Sequence, residues 1–208
     1  MLEQLGRKFA RFTTNQVVRR PRAWRLLRGL TRLQFERLAP VWDRMRSPEA
    51  FAALEAALDS IETAPRRALD VGTGTGAAAF ILAQRWPEAD IVGVDLAGGM
   101  LAEARRKAPP DLADRVHFEE ADAERLPFAN GSFDLVTLSN MIPFFDELAR
   151  VLQPDGSIVF AFSGGDETPI YVPPERLREE LSRRGFAEFA DFAAGSGTAL
   201  VARKQGAA

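Results

Sequence analysis

One stretch constrains this chain more than any other: Leu69-Asp70-Val71-Gly72-Thr73-Gly74-Thr75-Gly76. An apolar run, Ala68 to Val71, ends in three glycines at alternate positions, and a helix-forming segment, Ala77 to Arg85, follows at once. Strand, tight glycine turn and helix, in that order, open a nucleotide-binding α/β sheet. Glycine suits the turn because the backbone must take unusual dihedrals and come close to a ligand. Asp70 falls at the carboxyl end of the strand, where open α/β sheets place their ligands.

The spacing narrows the ligand. A dinucleotide fingerprint reads G-x-G-x-x-G, with an acid about 20 residues on for the ribose. Here it is G-x-G-x-G, and no Gly-Lys-Ser/Thr follows, which speaks against a dinucleotide and a P-loop. A second strand, Asp90-Ile91-Val92-Gly93-Val94, ends in Asp95, so a nucleoside with free ribose hydroxyls is expected.

From residue 66 onward strand and helix patterns alternate. Strands are expected near 67–71, 90–94, 115–119, 133–138, 157–162, 186–192 and 198–203, and helices near 75–86, 98–107, 144–152 and 174–184. Pro154-Asp155-Gly156 reads as a turn before the fifth strand. This alternation predicts an α/β fold: a Rossmann-like, seven-stranded, mostly parallel sheet with helices on both faces. The last two strands form a hairpin-like edge. Residues 1–62 read as a basic amphipathic helical extension or lid, and 63–208 as the nucleotide-binding domain. In the extension Leu2, Leu5, Phe9 and Phe12 recur at helical spacing, as do Trp24, Leu27, Leu30, Leu33 and Leu38. Pro21 and Pro40 punctuate these stretches, and Ser47-Pro48-Glu49 looks like the start of a helix running to Ile61.

Composition excludes whole classes. Cysteine is absent, which removes disulfides, thiolate metal sites and cysteine nucleophiles, and no metal is expected. No apolar run approaches the roughly 20 residues of a membrane span, and no apolar signal segment opens the chain, so a cytoplasmic protein is expected. The net charge of −2 hides an asymmetry: residues 1–50 carry twelve Lys/Arg against four Asp/Glu, a balance of +8, leaving −10 for the rest. The two parts attract each other, or the basic part faces an anionic partner. A solvated lid is the leading reading, a peripheral membrane contact the second, and a nucleic-acid arm is disfavoured.

The motifs line up with a family. Leu69–Gly76 resembles the first motif of class I S-adenosylmethionine (SAM)-dependent methyltransferases. Val92–Leu96 with Gly99-Met100-Leu101 resembles the second, and Glu120-Ala121-Asp122-Ala123-Glu124-Arg125-Leu126-Pro127-Phe128 the third, D-A-x-x-L-P-F. Phe133–Val136 and Glu147–Gly156 match the fourth and fifth strand regions. The D-A-x-x-L-P-F form is similar to the branch holding quinone-biosynthesis C-methyltransferases. The resemblance implies SAM as cofactor, held by Asp70, Gly72, Thr73, Gly74, Gly76, Asp95, Leu96, Met100, Asp122, Ala123 and Asn140. In it Asp95 accepts both ribose hydroxyls, Leu96 and Met100 wall the adenine, Asp122 accepts from the adenine amino group, and Asp70 holds the methionine ammonium.

The implied reaction is methyl transfer to a small, partly apolar acceptor by in-line displacement, which chiefly needs alignment and exclusion of water. Trp42, Met141 and Phe144 are the candidate acceptor walls. Trp42 stands in Phe35–Met45, which resembles the F-x-x-x-A-x-x-Y-D-x-M segment of the quinone branch with Trp for Tyr. No base stands out: Asp166, Glu167 and Tyr171, after the fifth strand, are weak candidates, and the sole histidine, His117, reads as structural. Asn140-Met141-Ile142-Pro143 departs from the N-P-P-Y/F motif of nitrogen-directed methyltransferases. The alternative is a non-catalytic SAM-binding or scaffold module, and either a monomer or a homodimer fits the sequence.

Overall fold

The computed structural model describes residues 2–206, with side chains described from Gly6 onward; the side chains of Leu2 and Leu5 thus lie outside the described residues. Two helices, α1 (Leu2–Arg19) and α2 (Trp24–Leu38), are followed by a 3-10 segment, Ala39–Met45, and by α3 (Ala52–Asp59). Then come β1 (Arg67–Val71), α4 (Ala77–Arg85), β2 (Asp90–Asp95), α5 (Gly98–Lys107), β3 (Val116–Glu120) and β4 (Phe133–Ser139). The chain finishes with α6 (Phe145–Val151), β5 (Leu152–Phe162), α7 (Pro174–Ser182), β6 (Phe186–Ala194) and β7 (Gly197–Lys204).

The seven strands make one sheet in the order β3-β2-β1-β4-β5-β7-β6. β1 pairs in parallel with β2 and β4, the order reverses at β1, and β7 runs antiparallel to both its neighbours. That reversal opens a crevice at the carboxyl ends of β1, β2 and β4, the switch point where such sheets bind ligands. The central strands are apolar on both faces because helices cover both. Leu69, Val92, Val136, Ile158 and Phe160 pack with Leu148 of α6 and Leu177 and Leu181 of α7. Ala68, Ile91, Leu135 and Val159 pack on the other side, with Leu54 and Leu58 of α3, Leu82 of α4 and Leu101 of α5.

Three local expectations need correction. Ser47 does not cap a helix: the amides of Ala50 and Ala52 bond back to the Ser47 and Glu49 carbonyls as successive tight turns, and α3 starts only at Ala52. Pro154–Gly156 is not a turn ahead of the strand but a bulge within it. Phe133 pairs with Leu152 and Leu135 already with Ser157, and Asp155 adopts a left-handed φ of 62° to absorb the extra residues. In the extension, helical spacing grouped Phe12, Leu30 and Leu33 with the other apolar residues of each stretch, yet all three are exposed. α1 instead buries Thr13, Thr14 and Val17.

The fourth-strand and helix motifs have a structural job that reaches the crevice. Glu147 of α6 accepts the Leu126 amide (2.6 Å) and pairs with Arg150 (2.6 Å). Arg150 donates to the carbonyls of Leu126 (3.1 Å) and Phe128 (2.7 Å) and to Asn130 (2.9 Å). The pair clasps the loop after β3 that carries Asp122 and Ala123. Glu147→Ala leaves a part-buried guanidinium and an amide short of their acceptor, a loss of about 1–3 kcal/mol. Urea denaturation of the variant should show that drop at unchanged m.

Candidate functional site

The glycine turn has the geometry its sequence requires. Gly72 and Gly74 have φ of 71° and 56°, and Gly76, at the head of α4, has 85°. A side chain at Gly72 would also collide with Met141, whose Sδ lies 2.7 Å from where a Cβ would stand. Gly72 and Thr73 donate to the Val94 carbonyl (2.8 and 2.9 Å), which ties the turn to the end of β2.

Asp70 is buried beneath this turn. Its Oδ1 accepts from the Thr137 hydroxyl (2.9 Å), while its Oδ2 has no hydrogen-bond partner. Burial, and to a smaller degree the nearby Asp95 charge, pushes its carboxyl up to about 6 against the pull of the Thr73 and Thr137 hydroxyls. Thr73 Oγ1, near the same carboxyl but without a well-formed hydrogen bond to it, and Ser139 Oγ, without a partner, are likewise buried. Three orphaned polar atoms therefore gather at the ends of β1 and β4. In a folded protein that pattern points to a polar partner outside the polypeptide.

Asp95 ends β2 facing the same crevice. Its Oδ2 accepts the Gly74 amide and its Oδ1 the Ala97 amide, each at 2.9 Å. Each oxygen keeps accepting capacity for a further donor. Burial raises its carboxyl above the ordinary range, with Glu36 adding to the rise, while the backbone amides of Ala97, Gly74 and Leu96 oppose it. Met100 is buried beneath Ala39 and Ala97, and Leu96 packs at the edge of the main core.

The extension covers this rim. Trp24, 2% exposed, donates from Nε1 to Asp122 Oδ1 (2.7 Å), and Arg28 reaches Asp122 Oδ2 (3.2 Å). Trp24 also meets Phe144 edge-on, with ring centroids 5.4 Å apart. Glu36 accepts the Gly99 amide at the start of α5 (2.8 Å). Trp42, stacked edge-on against Phe35, stands over Gly74. Thr75 donates to Asp43 (2.6 Å) and accepts from Arg46 (3.2 Å), and Lys107 pairs with Asp43. Arg25 and Arg32 pair with Glu124 (3.7 Å) and Glu120 (2.8 Å), and Arg7 and Arg11 donate to the backbone after β5. Three arginines of the extension, Arg25, Arg28 and Arg32, are thus paired with acids that follow β3 or end it.

Asp70, the three glycines, Thr73, Asp95, Leu96, Met100, Asp122 and Ala123 all lie at or just after the carboxyl ends of β1, β2 and β3, with Met141 against Gly72, Trp42 against Gly74 and Phe144 against Trp24. Asn140 belongs to the same rim, but its side chain clasps Ser163: Nδ2 donates to Oγ (2.9 Å) and Oδ1 accepts the Ser163 amide (3.0 Å). Its φ of 52° turns the chain away from β4. Asp166 and Glu167 are exposed, so neither is held against the crevice. Tyr171 lies edge-on to Phe162, and burial, with acidic neighbours, keeps its phenol protonated. His117 sits half-exposed on the edge strand, 3.5 Å from Asp90 near the opposite end of the sheet.

Sequence reasoning missed Trp24, Arg28 and Glu36. Signals pointed to Trp24 and Glu36, the only tryptophan and the only acid of the arginine-rich helix, and none singled out Arg28.

A sheet that reverses at β1, a glycine turn above a buried carboxylate, and a second carboxylate at the end of β2 define a Rossmann-like domain with a polar site at its switch point. Residues 68–156 match the family model described as a methyltransferase domain. The chain is 42% identical over 137 residues to the demethylmenaquinone methyltransferase of Thermus thermophilus, covering 60% of this chain and 62% of that protein. It is 45% identical over 151 residues to the malonyl-[acyl-carrier protein] O-methyltransferase of Geobacter sulfurreducens, covering 59% and 56%. The chain thus spans less than two thirds of these relatives. Phosphoethanolamine N-methyltransferase 2 of Haemonchus contortus, solved with S-adenosyl-L-methionine, shares the fold at a TM-score of 0.60 and 18% identity, over 75% of this chain and 52% of that one. Residues 68–156 are thus the part of this chain that matches a methyltransferase domain.

Proposed function

We propose that this chain is a SAM-dependent methyltransferase acting on a small, partly apolar acceptor. The observation that carries the reading is the orphaned, buried Oδ2 of Asp70 beneath the glycine turn. An ammonium on an amino-acid tail is the partner such an oxygen lacks, and Thr73 and Ser139 add hydroxyls for the rest of that tail. Asp95 is spaced one strand away for a ribose. In this reading Asp122, once released by Trp24 and Arg28, and Ala123 read the adenine edge. When bound, SAM supplies a methyl on a positively charged sulfur, already activated for displacement.

The work left to the protein is orientation and dryness. Holding two reactants in line supplies as much as ~7–11 kcal/mol. Phe144, Ile142 and Trp24 form the apolar cover that excludes water, and Met141 closes the glycine turn. The carboxylates over the rim, Glu36 and Asp43, are committed to the Gly99 amide and Arg32 and to Thr75, Arg46 and Lys107, so neither is offered as a base. That favours an acceptor whose attacking atom is already ionised or enolic at neutral pH, as a carboxylate is. The names of the relatives, one for a quinone precursor and one for a malonyl thioester, fit that class.

Trp24, Glu36 and Trp42 cover the rim, so the cofactor enters when α2 and the segment after it move. The closed rim also favours a second reading, a SAM-binding module without turnover. Incubating the purified protein with methyl-tritiated SAM and two acceptors, a reduced naphthoquinone and a malonyl thioester, separates the two. Label in either product supports the enzyme. Tight binding of S-adenosylhomocysteine by calorimetry without transfer supports the module, and no binding at high micromolar ligand removes both.

A further inference from the structure

α2 has two apolar faces. Trp24, Leu27, Phe35 and Leu38 turn inward over the rim, as their burial shows. On the other side Leu26, Leu30 and Leu33 are 84%, 58% and 46% exposed. They fall at i, i+4 and i+7, one above the other on a single helix face. Val41 and Met45, 39% and 53% exposed, add apolar surface on the 3-10 segment that follows. An aligned row of solvated leucines differs from the scattered exposed residue that any protein carries.

Charge sets the kind of partner. Arg19, Arg20, Arg22, Arg37 and Arg44 are exposed, and none has an ion-pair partner among the described residues. The one acid of α2, Glu36, is committed to the Gly99 amide and Arg32. The row is therefore leucine flanked by uncompensated arginine at both ends of the helix. A second copy packed across a two-fold would set these arginines against themselves. A ridge of leucines between arginines instead fits a flat anionic surface with an apolar interior, into which a helix sinks its apolar face while its cations meet headgroups.

We propose that the outer face of α2 docks this protein on an anionic lipid bilayer. The surface is argued apart from the reading of the crevice; its consequence rests on that reading. Docked this way, the cover of the crevice lies against the membrane, and an apolar acceptor dissolved in the bilayer meets the enzyme at its lid.

Sedimentation of the full chain with sucrose-loaded vesicles tests the surface. With vesicles holding 40 mol% (about two fifths) phosphatidylglycerol in phosphatidylcholine, the protein is expected to pellet; with pure phosphatidylcholine it stays in the supernatant. Leu26→Glu with Leu30→Glu, both at exposed positions, should weaken partitioning at least about tenfold and leave the circular dichroism melt unchanged. Asp95→Ala, which disables the crevice, should bind vesicles like the wild type, so loss of the methyltransferase reading leaves this test intact. Failure to pellet with anionic vesicles overturns the proposal, as does undiminished binding by the double variant. So does a dimer in light scattering that the double variant dissolves, since a second copy then covers the leucines.

Discussion

Asp70→Asn is expected to make the protein more stable at pH 8 and to cripple its cofactor binding. The reason is the sign of the Asp70 shift. Its carboxyl titrates at about 6 in the fold against 3.8 as a free side chain, chiefly because burial disfavours the charged form. The native state thus holds its proton more tightly than the unfolded state, and stability falls as pH rises through that window. Above pH 6 the full penalty is present, roughly 3 kcal/mol by linkage. Asparagine is neutral at every pH and keeps an oxygen for the Thr137 hydroxyl. Chemical denaturation should show the variant gaining about 2–3 kcal/mol at pH 8 and close to nothing at pH 4. Over the same range the wild type should lose stability with rising pH. Calorimetry with S-adenosylhomocysteine should show the opposite trade: loss of a charge-assisted contact to an ammonium weakens binding about 10–100-fold. A variant less stable than wild type at pH 8 would mean that the carboxylate is already satisfied within the protein, and the site reading would go with it.

That trade explains why the sequence was so legible at this position and so poor at others. A polar residue at the end of an apolar strand, immediately before a glycine turn, breaks the pattern that a core alone would impose, and such breaks mark sites. The same logic located Asp95. The parallel sheet was legible because strands buried on both faces read as continuous apolar runs. Phe133–Leu138 and Ser157–Phe162 have no other stable reading beside helices of this length.

The extension was legible as helix and illegible as packing. Apolar residues of α2 recur at positions consistent with one broad stripe, and periodicity alone cannot tell a wide stripe from two narrow ones on opposite sides. Trp24 and Leu30 differ in destination because Trp24 alone carries an N–H that a carboxylate, Asp122, is placed to accept. Such a tertiary pairing between residues 98 positions apart leaves no trace in local spacing. The Pro154–Gly156 bulge was hidden for a related reason. The residues are those of a turn, and only pairing with β4 on both sides makes them part of a strand.

Asp95→Ala should abolish the function outright. The wild-type carboxylate has two duties. It accepts the Gly74 and Ala97 amides at 2.9 Å, which fixes the turn and the start of α5, and it offers its remaining lone pairs to the crevice. Alanine removes both. Two part-buried amides lose their acceptor, for a loss of about 1–3 kcal/mol in stability. Affinity for S-adenosylhomocysteine should fall at least about 100-fold, because a bidentate, charge-assisted contact to two hydroxyls goes together with the order of the turn. Glu36 supplies the control. It lies close enough to raise the Asp95 carboxyl, and it holds the Gly99 amide from the lid side. Glu36→Gln removes a like charge beside Asp95 and weakens one strap of the cover. It should therefore bind the same ligand as tightly as wild type or a few-fold more tightly. If instead Glu36→Gln loses binding and Asp95→Ala keeps it, the nucleoside is held by the lid and not by the end of β2, and the crevice at the switch point is not where this protein takes its cofactor.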